Sequence, residues 1–138
     1  MMLHRWIQLR ILFAAAVLLL AAQSVTSAAA GAGELTGIRF GRNAEYDRIV
    51  LDLSVMPKYT VTTENGDQRI LVTLPNVKNQ AAVTAFKSDV VRRLSIVPAA
   101  GGVALQIDLT AKTPYRVTTF ANPPRIAIDV QTSYEDVQ

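Results

Sequence analysis

The sequence predicts an all-β fold, a small sandwich of two pseudo-symmetric antiparallel sheets with about four strands each. Apolar and polar residues alternate with period two, which is typical of half-buried strands. Residues 48–74 recur without a gap as residues 104–130, a period of 56, with 8 of 27 positions identical. Clusters of Gly, Asn and Pro separate the runs, as in hairpin turns. Two sheets with one apolar face each can bury those faces only against each other, hence the sandwich.

The repeat assigns strands to both halves of the chain. In the second strand of the first copy, Ile49, Leu51 and Leu53 alternate with polar positions, and Leu105, Ile107 and Leu109 repeat the pattern. We therefore predict four strands in each copy, connected as a meander. They are 35–40, 48–54, 59–63 and 69–74 in the first copy, and 91–96, 104–110, 115–119 and 125–130 in the second. Residues 76–89 join the copies; we expect this segment to hold a helical turn or a short strand and to cross from one sheet to the other.

The first thirty residues are predicted to be a secretory signal peptide. Arg5 and Arg10 precede a twelve-residue apolar run, Ile11 to Ala22, and small residues follow. This order is the signal-peptide pattern, and the run is shorter than the ~20 residues that span a bilayer. We expect export to the periplasm, cleavage between Ser27 and Ala30, and no stable membrane span afterwards. An uncleaved membrane anchor is the alternative. The remaining boundaries are a domain at residues 34–131 and a polar tail at 132–138.

The charge balance of the exported part argues against nucleic-acid binding. Without Arg5 and Arg10 the 14 basic residues become 12 against 11 acidic ones, a net charge near +1. A nucleic-acid site needs a concentrated basic patch rather than a balanced mixture. The chain has no cysteine, so the domain must fold without disulfides, which about 100 residues can do with one core.

The repeated strand motif resembles the AMIN domain, the exported β-rich module of bacterial cell-wall amidases and type IV pilus secretins. An Arg-Ile-x-Leu/Ile-Asp-Leu/Val strand occurs at residues 48–53 and again at 125–130. Pro114-Tyr115-Arg116-Val117 and Asn122-Pro123-Pro124 lie between the two copies. The resemblance covers residues 34–131. It implies a fold of two symmetric sheets and a non-catalytic domain that binds peptidoglycan and localises cell-envelope machinery. No amidase or secretin domain follows in the sequence, which leaves three interpretations: the chain acts alone, it serves an amidase or secretin in trans, or it is a shortened gene product.

No catalytic or metal site is expected. The only histidine is His4, within the predicted signal peptide, and cysteine is absent, so a zinc amidase or a Ser-His-Asp or Cys-His nucleophile cannot be assembled. No cofactor is expected either. Asp52 and Asp108 could act as a pair of glycosidase carboxylates. The more economical reading is that each pairs with an arginine across strands on an open face.

The candidate ligand-binding residues are polar side chains predicted to face outward. Guanidinium groups bind carboxylates bidentately, which suits a polymer with acidic peptide stems. The proposed peptidoglycan-binding residues are Arg48, Asp52, Arg69, Asp108, Arg116 and Arg125. For any one of them, a solvated surface side chain without a ligand is an equally good interpretation. The alternative function is a structural protein–protein interaction module of a secretin, pilus or envelope assembly, which would add a partner strand to an exposed sheet edge.

Overall fold

The computed structural model describes residues 32–132, which form nine β-strands and no helix. Long alternating runs such as Tyr46–Leu53, buried at every second residue, explain why the strands form where they do. In chain order the strands are β1 (Gly33–Arg42), β2 (Tyr46–Leu53), β3 (Thr60–Glu64), β4 (Arg69–Pro75), β5 (Val77–Asn79), β6 (Val91–Ala99), β7 (Gly102–Leu109), β8 (Tyr115–Phe120) and β9 (Arg125–Gln131).

The strands make two sheets that enclose one core. The five-stranded sheet has the order β5-β1-β2-β9-β8, and the four-stranded sheet has the order β3-β4-β7-β6. Branched aliphatic side chains from both sheets fill the space between them and are fully buried. The largest are Leu35, Ile49, Leu51, Ile70, Leu74, Leu105, Ile107, Ile126 and Ile128. The predicted all-β sandwich is therefore confirmed.

The predicted connection of the strands is wrong, because neither half forms a meander of its own. Each half supplies one hairpin to each sheet: β1-β2 and β8-β9 lie in the five-stranded sheet, and β3-β4 and β6-β7 lie in the other. The halves meet where β2 pairs with β9 and where β4 pairs with β7. Both contacts are antiparallel, and β2 and β7 begin 56 residues apart, at Tyr46 and Gly102. Corresponding strands of the two halves thus lie in opposite sheets.

The connection between the halves contains a short strand rather than a helical turn. Strand β5 leaves the four-stranded sheet and pairs in parallel with the start of β1, and the chain then returns to the four-stranded sheet as β6. The segment 80–90 between them has no regular structure, but it is fixed by packing. The rings of Phe86 and Phe40 lie 4.6 Å apart, and Ser88 donates a hydrogen bond to buried Asp47 at 2.5 Å.

Residues 32–132 belong to one compact unit, and the core described above closes within it. The predicted signal peptide, residues 1–30, and all of the predicted polar tail except Thr132 lie outside the described residues. Between residues 32 and 132, no helix is long and apolar enough to cross a membrane.

Candidate functional site

The outer surface of the five-stranded sheet carries a network of ionic side chains. We call this surface the arginine face. Because directly opposed residues in antiparallel strands point to the same side, strand register decides which side chains share it. Its arginines and aspartates are Arg39 from β1, Arg48 and Asp52 from β2, Arg116 from β8, and Arg125 and Asp129 from β9. Four guanidinium groups therefore face two aspartate carboxylates. Glu34 and Lys78, of opposite charge, face each other at its β1–β5 edge.

Asp129 lies at the centre of one ionic cluster on the arginine face. Arg48, directly opposite in register, donates two hydrogen bonds to its carboxylate, at 2.7 and 2.9 Å. Arg116 on the other side donates a third, longer one at 3.4 Å. The Asp129 side chain is only 5% exposed, so its charge depends on these donors. The hydrogen bonds from Arg48 outweigh the cost of burial and hold the pKa of Asp129 below its usual value.

Asp52 is bound by an arginine from the neighbouring strand. Arg39 donates to both carboxylate oxygens, through Nε and Nη2, each at 2.8 Å. These bonds raise the pKa of Arg39 above its ordinary value. Gly37 stands opposite Asp52, and a Cβ there would come within 3.1 Å of Oδ2, so the glycine leaves room for the carboxylate. Asp52 also faces Arg125 in register, yet its charge is already matched by Arg39.

Arg125 is left without a carboxylate partner among residues 32–132. Its guanidinium carbon lies 4.8 Å from the ring centroid of Phe120, a cation–π contact, and Nε donates to the carbonyl oxygen of Pro123 at 3.3 Å. The Phe120 ring is 37% exposed. At the other end of the face, Arg48 lies 5.3 Å from the ring centroid of Tyr46. Two of the four arginines therefore lie beside an aromatic ring, exposed at Phe120 and half-buried at Tyr46.

The remaining two predicted residues, Arg69 and Asp108, lie on the opposite side of the sandwich. They face each other on β4 and β7 and form an ion pair of 2.7 Å between Nε and Oδ1. Burial opposes ionisation of Asp108, but hydrogen bonds from Arg69 and Gln106 outweigh it, and the pKa of Asp108 lies below its usual value. The predicted six-residue set is thus divided, four on the arginine face and two on the other surface.

Because of this division, Asp52 and Asp108 cannot act together as the two carboxylates of a glycosidase. Asp52 and Asp108 lie on opposite outer surfaces with the core between them, so they cannot flank one glycosidic bond. Each is instead paired with an arginine across strands, as the sequence indicated. In the part of the chain that the structure describes, no group of three or more His, Cys, Asp or Glu side chains could hold a metal ion.

Four members of the arginine face were not among the predicted binding residues: Arg39, Tyr46, Phe120 and Asp129. The sequence carried a usable signal for three of them. Asp129 alternates with buried Ile128 and Val130, Arg39 alternates with Ile38 and Phe40, which pack against the core, and Phe120 comes five residues before Arg125 across a tight turn. The pairing of Arg39 with Asp52 was not predictable, because a bulge between Leu35 and Gly37 shifts the register.

Comparison with known proteins connects the fold to a family. The AMIN domain model matches residues 37–93, which run from β1 to the start of β6. The resemblance that the strand motifs indicated is therefore confirmed over this stretch, which includes Arg39, Arg48 and Asp52. No curated protein and no solved structure gave a significant match.

Proposed function

We propose that this chain, whose residues 37–93 belong to the AMIN domain family, is a periplasmic module that binds peptidoglycan through its arginine face. AMIN domains are non-catalytic and occur in periplasmic amidases and secretins, where they serve binding and localisation. The chain would bring an envelope protein, such as an amidase or a secretin, to the cell wall. The observation that carries the proposal is Arg125, a guanidinium that lies over the exposed ring of Phe120 and has no carboxylate partner among residues 32–132.

The ion pairs divide the arginines into two kinds. Arg39 and Arg48 each hold an aspartate with two short hydrogen bonds, so their main role is to fix the face. Arg116 is 72% exposed and makes only one long contact to Asp129. Arg116 and Arg125 are therefore the arginines that can turn to a ligand, because Arg116 would give up one long contact and Arg125 only its contacts with Phe120 and Pro123.

The chemistry of the face fits a glycan with acidic peptides. A guanidinium binds a carboxylate with two parallel hydrogen bonds, and the stem peptides of peptidoglycan carry free carboxylates. An exposed aromatic ring such as that of Phe120 offers an apolar platform for a sugar ring, and the half-buried ring of Tyr46 offers part of one. Four arginines against two aspartates leave the surface with an excess of two positive charges, which also attracts an anionic polymer.

Co-sedimentation with isolated peptidoglycan sacculi tests this proposal. Residues 31–138 should pellet with sacculi at low salt and less at moderate salt, because exposed charges are screened. Soluble muropeptides should compete. Arg125→Gln should lower the bound fraction, and the double variant Arg116→Gln/Arg125→Gln should lower it further.

Arg93→Gln provides the matched control for that experiment. Arg93 is also exposed, but it lies on β6, opposite Asp108, and belongs to the other surface. Its replacement removes the same charge and should leave the pelleted fraction unchanged. Equal losses for Arg93→Gln and Arg125→Gln would show that binding depends on net charge and not on the arginine face. Failure of the wild type to pellet would refute peptidoglycan binding itself.

Strand addition to a protein partner is the second candidate, and one edge strand favours it. Strand β8 ends the five-stranded sheet, contains neither Pro nor Lys, and exposes Tyr115 and Phe120 by 37% each. The edge strand β6 is protected by Pro98 and by the charges of Arg92 and Arg93. Strand addition relies on backbone hydrogen bonds. Partner capture that is insensitive to salt and to muropeptides would therefore support this candidate over glycan binding.

A further inference from the structure

A cationic cleft lies away from the arginine face, at the end of the sandwich where β1 finishes and β6 begins. Its volume is about 660 Å³, within the range of small-molecule sites. We call it the end cleft. One side is formed by Arg42 at the end of β1, another by Arg92 at the start of β6, and the third by residues 83–89. Both sheets and the inter-repeat segment thus contribute to it.

The end cleft carries three positive side chains and one negative one. Arg42, Lys87 and Arg92 line it, and Asp89 is the only carboxylate in the lining. Arg42 reaches Asp89 at 3.5 Å, with side-chain exposures of 54% and 92%. A pair so exposed is screened by water and stabilises the protein little, so Arg42 can exchange Asp89 for a ligand. The lining has a net positive charge, and its charged hydrogen-bond donors are two guanidinium groups and one ammonium group. The end cleft therefore favours an anionic ligand.

The wall of the end cleft is preformed even though it lacks regular structure. Phe86 stacks on Phe40, as described above, and Ser88 links the segment to buried Asp47. The Ser88 oxygen also accepts hydrogen bonds from the backbone N–H groups of Val90 and Val91, at 3.1 and 2.9 Å. These contacts fix Phe86 and Ser88, the residues on either side of Lys87 in the chain. A site that is already ordered loses little conformational entropy when a ligand binds.

We propose that the end cleft binds an oxyanion, a carboxylate or phosphate group, between Arg42, Lys87 and Arg92. Arg42 and Arg92 approach it from different sheets, so a planar carboxylate or a tetrahedral phosphate can receive hydrogen bonds from two sides. Thr84, exposed at the rim, adds a neutral hydroxyl donor. This site is separate from the arginine face, and the proposal does not depend on peptidoglycan being the ligand there.

Two sources of the oxyanion are distinguished by the probe. Inorganic phosphate tests the site for a phosphate group, and a soluble muropeptide with free stem carboxylates tests it for a cell-wall ligand. Either probe is titrated into ¹⁵N-labelled residues 31–138, and the backbone amide shifts of residues 84–93 are followed. Saturating shifts in this segment with a dissociation constant on the order of 1 mM are expected from at least one probe, as for a few charge-assisted contacts.

Arg92→Gln and Arg93→Gln form the decisive pair of variants. The two arginines are adjacent and exposed on β6, but only Arg92 lines the end cleft. Arg92→Gln, and separately Arg42→Gln, should weaken binding about tenfold, the effect of losing one charged contact. Arg93→Gln should have no effect. Equal weakening by Arg92→Gln and Arg93→Gln, or the absence of saturable shifts with both probes, would overturn the proposal. Sedimentation with sacculi is a separate measurement, so the failure of one proposal leaves the other standing.

Discussion

Replacing Asp129 by asparagine should destabilise the domain more than the same replacement at Asp52, the other aspartate of the arginine face. Asparagine keeps the size of the side chain, but it replaces one acceptor oxygen by an NH₂ group that points a donor at Arg48. The two hydrogen bonds from Arg48, at 2.7 and 2.9 Å, are then weakened or lost. Since the Asp129 side chain is 5% exposed, water cannot take over its contacts.

The expected loss lies between two limits. Breaking a fully buried ion pair costs about 3–5 kcal/mol, whereas a surface pair is worth about 0–1 kcal/mol. Arg48 is 36% exposed and regains hydration, which lowers the cost, so we expect a loss of about 2 kcal/mol in the free energy of unfolding. For a domain of this length that corresponds to a fall in Tm of about 10 °C.

Urea denaturation and a thermal scan measure this loss, and Asp52→Asn supplies the comparison. Asp52 is also held by two hydrogen bonds, but its side chain is 28% exposed and that of its partner Arg39 is 59% exposed. Its loss should therefore stay below about 1 kcal/mol. If the two variants lose equal stability, or if Asp52→Asn loses more, then burial does not determine the strength of these pairs and the reasoning fails. An Arg48→Gln/Asp129→Asn double variant should lose less than the two single losses added together.

Two further predictions concern the stability of the domain at low pH and the close approach of Gly102 to the backbone of Leu74. The pKa of Asp129 is lowered by folding, so its contribution is complete above the ordinary aspartate value of about 3.9 and is lost as the pH falls through the folded value. A pH series of Tm should therefore decline below about pH 4, and less steeply in Asp129→Asn; parallel declines would contradict this. Gly102→Ala should cost about 1–3 kcal/mol in urea denaturation, because a Cβ there overlaps the backbone carbonyl of Leu74. Gly41→Ala, with open space around its Cβ position, should be nearly neutral, and a similar loss in both would refute the steric argument.

The sequence predicted the strands well because alternation reports burial directly. Ile49, Leu51 and Leu53 were expected on one face and are all buried. Asn65 and Gly66 were expected in a turn, and both have positive φ, 54° and 62°, between β3 and β4.

The connectivity of the sheets was not predictable from the same pattern. Alternation says which side of a strand is apolar, but it does not say which strand lies beside it. A meander and an exchange of hairpins between sheets bury the same residues, so only pairing across the two halves distinguishes them. The pairs β2–β9 and β4–β7 make that distinction.

The predicted binding residues were divided for the same reason. Arg69 and Arg125 occupy equivalent positions in the two copies, and both were predicted to bind the ligand. Corresponding strands lie in opposite sheets, so equivalent residues necessarily point out of opposite sides of the sandwich. Equivalent positions also acquired different neighbours: Arg69 is paired with Asp108, while Arg39 takes the aspartate that faces Arg125.

Because of the exchange of hairpins, the two halves pair with each other as two identical subunits of a homodimer would, but within one chain. One half alone, with β1 and β2 in one layer and β3 and β4 in the other, leaves β2 and β4 each with an unpaired inner edge. A second copy related by a two-fold axis would close both edges at once, as β9 and β7 do here. Separated halves, cut in the segment 80–90, should therefore be unfolded alone and complementary when mixed. A stretch such as residues 37–93 carries only one subunit's share of this architecture, and its fold is completed by the strands that follow.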